Sequence, residues 1–141
     1  MSSFIQDTDY KASIHDEIVT ALVRDDREVV EICEDRAIAE MRSYLSGRYD
    51  CEAIFNATGS DRHPLILMVA LDITIFHLFC VHNPQKLSQI RKDRYDRAIE
   101  WLLAVSKNKA NIEGAPLLTT EELKRSDDNI LASNQKRTHH Q

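Results

Sequence analysis

The stretch from His63 to His82, HPLILMVALDITIFHLFCVH, constrains the fold of this chain more than any other. It is almost unbroken apolar sequence, so whatever it forms must be shielded from water along most of its length. A membrane span, a buried strand and a buried helix all meet that demand. A span needs roughly 20 apolar residues. The run from Leu65 to Val81 is shorter than that and is interrupted by Asp72, Thr74 and His77. Ile73, Ile75, Phe76 and Phe79 would suit a strand, but the length favours a helix, and Pro64 suits its first position. We therefore read residues 63–82 as the central helix of a soluble protein, covered by other helices, with no membrane partner.

The rest of the chain supplies the covering helices. With 3 Gly and 3 Pro in 141 residues, long segments run without a turn signal, and the fold class expected is all-α in one domain. Tyr10, Ile14, Ile18, Ala21 and Leu22 recur at helical spacing behind a cap at Thr8 or Asp9. A second helix is expected from about Asp25 to Ser46, with Val30, Cys33, Ala37, Met41 and Tyr44 on its inner face. Gly47 stands where a helix stop uses positive φ. Residues 48–62 then read as an irregular loop anchored by Ile54 and Phe55, rich in the turn formers Asn56, Gly59, Ser60 and Asp61. After the central helix, Asn83-Pro84 starts a fourth, with Leu87, Ile90, Tyr95, Ala98, Leu102 and Val105 on one face. The pattern fades after Asn108, which divides the chain into a helical domain, 1–110, and a linker and extended C-terminal tail, 111–141. In the tail, Thr119 or Thr120 can cap one short helix.

Charge is uneven along the chain. Residues 1–60 carry 13 Asp and Glu against 6 Lys and Arg, a net of −7, whereas residues 61–141 are +2. Such polarity favours head-to-tail association of identical copies and disfavours duplex DNA as the main ligand. Cys33, Cys51 and Cys80 are odd in number and widely spaced, so we expect buried thiols in a reducing compartment rather than disulfides. No secretory leader pattern opens the sequence, and the protein is expected in the cytoplasm where it is made.

No catalytic or metal constellation emerges. Asp72 and His77 are five residues apart, about 140° around a helix, so their side chains diverge. Asp72 is expected to pair with an Arg of a neighbouring helix. Cys80-Val81-His82, His63 and Cys51 lack the spacing of a zinc site. Nucleophile elbows, phosphate-cradling glycine loops and H-E-x-x-H are absent. We expect no enzyme and no cofactor. Arg91, Lys92, Arg94 and Arg97 form a basic cluster diluted by Asp93, Asp96 and Glu100. It supports, as the alternative reading, a small helical DNA-binding or regulatory protein.

Two blocks of residues carry a resemblance. The first is Glu40-Met41-Arg42-Ser43-Tyr44-Leu45-Ser46-Gly47-Arg48-Tyr49-Asp50, followed by a loop and the apolar helix. The second runs from Arg91 to Leu102, with Arg94, Tyr95, Ala98 and Trp101 between, followed by a short segment and Pro116. In this order, over about residues 4–118, the chain resembles the tailed-phage head-tail connector family related to the neck protein of phage Mu. The resemblance implies a four-helix connector-type bundle, a virion protein made in the bacterial host cytoplasm and placed in the neck. It implies a ring of about twelve copies below the portal. Its implied partners are copies of itself, the portal protein and a tail or second neck protein, with non-specific contact to genome DNA passing through the lumen. It implies no catalytic residues. Two departures stand out: Cys51 to Phe55 lacks the family's usual loop proline, and the polar tail beyond Leu118 is longer than its typical end.

On this reading the candidate subunit and portal contacts are Arg48, Tyr49, Asp50, Phe55 and Arg62 around the loop, and Arg91, Lys92, Arg94 and Arg97 on the fourth helix. Leu117, Leu118, Leu123, Ile130 and Leu131 are the candidates in the tail. Arg48-Tyr49-Asp50 has two compatible roles: Tyr49 packs on the core while Arg48 pairs with a nearby acid, or the motif is the rigid base of a contact loop.

Overall fold

The computed structural model describes residues 3–13, 26–82 and 84–125, and the fold over them is all-α. Helices α1 (Asp7–Ser13), α2 (Arg27–Leu45), α3 (Cys51–Asn56), α4 (Pro64–His82) and α5 (Gln89–Ser106) follow in order, with 3-10 turns at Gly59–Asp61 and Pro84–Lys86. Among the described residues, the one extended pairing is an isolated antiparallel bridge between Tyr49 and Leu117. The expected first helix is seen only over α1, because residues 14–25 lie outside the described residues, as do Ile130 and Leu131.

The apolar run forms α4, which packs against α2, α5 and α1. By length and composition this helix could cross a membrane, but half of its apolar window is buried inside the fold. Ile66, Ile73, Ile75 and Leu78 are buried, as are Val30, Cys33, Ala37 and Met41 of α2 and Ala98, Leu102 and Val105 of α5. Each of the last two sets repeats at three- and four-residue intervals, so one stripe of each helix faces α4. Thr74, fully buried, donates its hydroxyl to the Ala70 carbonyl at 2.7 Å, which satisfies it within its own helix.

Five local expectations change. Residues 48–62 are not irregular throughout: Asp50 caps α3, its carboxylate accepting from the Ala53 N–H at 3.2 Å, and Cys51, Ile54 and Phe55 go into the core. Six residues are too few for a helical period to show in the sequence, so only the cap marked it. The cap of α1 also differs. That helix begins at Asp7, and Asp9 reaches back to accept from the Gln6 N–H at 2.7 Å, the return half of a capping box. Cys80 is exposed, whereas Cys33 and Cys51 are buried with thiols whose pKa burial pushes up.

The fourth expected helix, α5, starts not at Asn83-Pro84 but at Gln89, where the Ser88 hydroxyl accepts from the Arg91 N–H, so Leu87 precedes the helix and Ile90 is left 67% exposed. Gly47 is the fifth. Positive φ falls at Asn108, Gly59 and Gly114, not at Gly47, because α2 ends through right-handed turns in which the Arg48 and Tyr49 N–H groups both bond the Leu45 carbonyl. A Cβ on Gly47 would meet no atom within 4 Å. Gly47→Ala is therefore expected to raise stability by about 0.4–1 kcal/mol, through the entropy of the unfolded chain, in denaturant melts. A loss of stability would show that the turn needs glycine.

At the α1–α2 contact, Glu34 is buried and accepts from the Tyr10 hydroxyl at 3.0 Å. Burial drives the Glu34 pKa up from 4.5 to about 7, against the opposing pull of Tyr10 and Arg27. A raised carboxyl means that the folded state holds the proton more tightly. Its contribution is full below about pH 4.5 and is lost as pH rises through about 7. Glu34→Gln keeps an acceptor for Tyr10 without the charge. The variant is expected to match the wild type near pH 4.5 and to exceed it by on the order of 2 kcal/mol at pH 8, allowing for partial solvation. Paired denaturant melts across that range measure the difference.

Candidate subunit-contact surfaces

The Arg48-Tyr49-Asp50 corner follows α2 directly and is tied to the segment after α5. The Arg48 guanidinium donates to the side-chain oxygens of Asn108 and Asn111 and, at 3.0 Å, to the Tyr49 hydroxyl. Its carbon lies 5.1 Å from the Tyr49 ring centroid, a cation–π distance. The partners of Arg48 are thus two amides and a phenol hydroxyl, not the acid expected. Buried Tyr49 accepts the Ile112 N–H on its hydroxyl at 2.9 Å. The Asp50 N–H donates to the Pro116 carbonyl at 2.9 Å, and the Leu118 N–H to the Arg48 carbonyl at 3.0 Å. All three residues thus clamp residues 108–118 onto the end of α2, and Ile112 is buried beneath the clamp.

Glu40, in the same motif block, bridges to the second block. Its carboxylate accepts from the Tyr95 hydroxyl at 3.0 Å and lies 3.3 Å from His77 Nε2. Tyr95 stacks on Phe76 with ring centroids 3.9 Å apart. Burial, with Glu40 beside it, pushes the Tyr95 pKa up to about 12. Residues that stand some fifty positions apart in the chain therefore meet in one network across α2, α4 and α5, which no local spacing pattern would reveal.

Other candidates are also used within the subunit. Phe55 is buried edge-on against Phe4, centroids 5.2 Å apart. Arg62 grips Asp9 through two bonds, at 2.5 and 3.1 Å, and donates to the carbonyls of Phe4 and Gly59 at 2.8 and 2.9 Å. Leu117 is exposed, and Leu118 and Leu123 are half-buried. Leu123 faces Tyr44 and Val105 across a small cavity of about 260 Å³.

The fourth-helix cluster divides. Lys92 lies about 160° around α5 from Arg94, whereas Arg91, Arg94 and Arg97 follow one another at single-turn spacing. Arg94 and Arg97 flank an open groove of about 520 Å³ between α4 and α5, whose apolar walls are Leu65, Met68 and Trp101. Leu65 is 37% exposed and Met68 51%. Asp72 sits in this groove 4.0 Å from Arg94, in line with the expected pairing to an Arg of a neighbouring helix. Burial raises its pKa, and Arg94 and Arg91 oppose the rise. Sequence reasoning named Arg94 and Arg97 but missed Leu65, Met68 and Trp101. The first two belong to the stretch Leu65–Leu71, in which every residue is apolar, so no contrast marks them.

Among the described residues, no group of three or more His, Cys, Asp or Glu comes together to hold a metal ion. His63 Nε2 instead meets the Glu113 carbonyl at 2.7 Å, joining the start of α4 to the turn at Gly114. Comparison of the chain with known protein families, curated proteins and solved structures found no match.

Proposed function

We propose that this chain is a non-enzymatic virion protein of the head-tail connector type. Copies of a connector-type bundle, with α1, α2, α4 and α5 as its four expected helices and the short α3 added, form a ring below the portal, bridge capsid to tail in the virion neck, and leave a lumen for DNA. The observation that carries the reading is the α4–α5 groove. Its exposed apolar walls, flanked by Arg94 and Arg97, belong to a chain whose first 60 residues carry a net −7. Closed rings are built from heterologous contacts, in which each copy presents two unlike and complementary faces. The motif blocks behind the resemblance support the same reading: Glu40 with Tyr95, and Arg48-Tyr49-Asp50 with residues 108–118, act as internal ties that brace a small subunit. The portal contact is assigned to the exposed side of the α2–α3 corner and to the tail.

The DNA-binding alternative has less behind it, since Lys92 is turned away from the arginines and Asp72 neutralises part of their charge. The deciding experiment is the native mass of the purified chain, alone and mixed with portal protein. A discrete complex of many copies that forms with portal is the expected result. A chain that stays monomeric and ignores portal would overturn the reading, and a steep salt dependence of its duplex binding would then favour the alternative. The tail should be shortened after Arg125 rather than at Ala115, because Pro116 and Leu118 hydrogen-bond into the fold.

A further inference from the structure

The groove between α4 and α5 presents positive charge outward and apolar surface inward. Arg94 keeps 45% of its side chain exposed, whereas its neighbour Asp72 keeps only 13%. At about 520 Å³ the groove lies within the roughly 300–1,000 Å³ range of ordinary ligand pockets. The chain itself contains a segment of the opposite pattern. Beyond Arg125 it reads Ser126-Asp127-Asp128-Asn129-Ile130-Leu131, two acids followed within three residues by two large aliphatics. Elsewhere after residue 106, adjacent acids occur only at Glu121-Glu122, where Glu122 already caps its own turn by accepting from the Thr119 N–H at 2.8 Å.

We infer that the α4–α5 groove receives residues 127–131 of a neighbouring copy. Asp127 and Asp128 meet Arg94 and Arg97, and Ile130 and Leu131 cover Leu65, Met68 and Trp101. The inference rests on the proposed connector reading and deepens it, because it names a segment that meets the groove in the head-to-tail contact a ring requires. A segment of this kind joins subunits with a few apolar anchors and charge pairs at the rim. A groove on one copy and a tail on the next also make a head-to-tail contact that no copy satisfies alone.

The test uses full-length chains with portal and two charge reversals, Arg94→Glu with Arg97→Glu in the groove, and Asp127→Arg with Asp128→Arg in the tail. Each double variant alone is expected to weaken assembly about tenfold or more while helical content is unchanged. Mixed together, the two defective variants are expected to reassemble, since the reversed groove of one then matches the reversed tail of the other. Trp101 emission should shift to the blue as the groove is covered. Rescue within one chain carrying all four changes, but not by mixing, would place the tail in its own groove and overturn the inference. Variants that assemble as well as wild type would overturn it while leaving the connector reading standing. A wild-type chain that never associates, with or without portal, would overturn both.

Discussion

Arg62→Ala is expected to lower the unfolding free energy by about 3–5 kcal/mol, the cost of breaking a desolvated ion pair and leaving one partner behind. The Arg62 and Asp9 side chains are only 11% and 12% exposed, and the guanidinium donates to both carboxylate oxygens. Its remaining donors hold the Phe4 and Gly59 carbonyls, so one side chain ties the start of the chain to the turn before α4. Phe4 is fully buried against Phe55, and the loss therefore extends into the core. Equilibrium denaturation measures the total. A double-mutant cycle with Asp9→Ala is expected to return a coupling energy of roughly 0.5–3 kcal/mol. A coupling near zero would mean that the backbone carbonyls, not Asp9, account for the effect.

Tyr49 should divide into two separable costs. Tyr49→Phe keeps the buried ring and removes the acceptor of the Ile112 N–H, which is expected to cost about 1–3 kcal/mol as an unsatisfied buried donor. Tyr49→Ala also removes the ring over which Arg48 lies, for a total of about 3–5 kcal/mol. The structure ties both losses to one segment, since Ile112, Pro116 and Leu118 are held by this corner. Hydrogen exchange at Ile112 and Leu118 should therefore speed up in both variants, while amides in the middle of α4 keep their protection relative to global stability. Uniform loss at every amide would show that the clamp and the bundle unfold as one unit.

Much of the fold is legible in the sequence. The apolar run, the amphipathic stripes of α2 and α5 and the scarcity of Gly and Pro follow from the simple periodicity of long helices, where the same physics repeats every turn. Divergence of Asp72 and His77 followed from helix geometry alone, and each indeed has a partner on a different helix, Arg94 and Glu40. The tie between α2 and the segment after α5 was not legible. Arg48 finds Asn108 and Asn111 some sixty residues away, and no pattern in either stretch announces the other. Nor was the fate of Phe55 and Arg62, two of the candidate contacts. Whether an aromatic or an arginine faces a partner or its own subunit depends on what lies opposite, here Phe4 and Asp9.

The sequence by itself determined that the described residues are all-α, that the run 63–82 holds the central helix, Pro64–His82, and where the charges fall. These are consequences of composition and period, summed over many residues and insensitive to any one of them. Only the tertiary structure decided that the Arg48-Tyr49-Asp50 motif clamps residues 108–118. It alone also showed that α3 fills the supposed loop and that Leu65, Met68, Trp101, Arg94 and Arg97 share one open groove. Each of these depends on the relative placement of helices, which is set by side-chain packing between distant parts of the chain, and that packing leaves no repeat in the sequence.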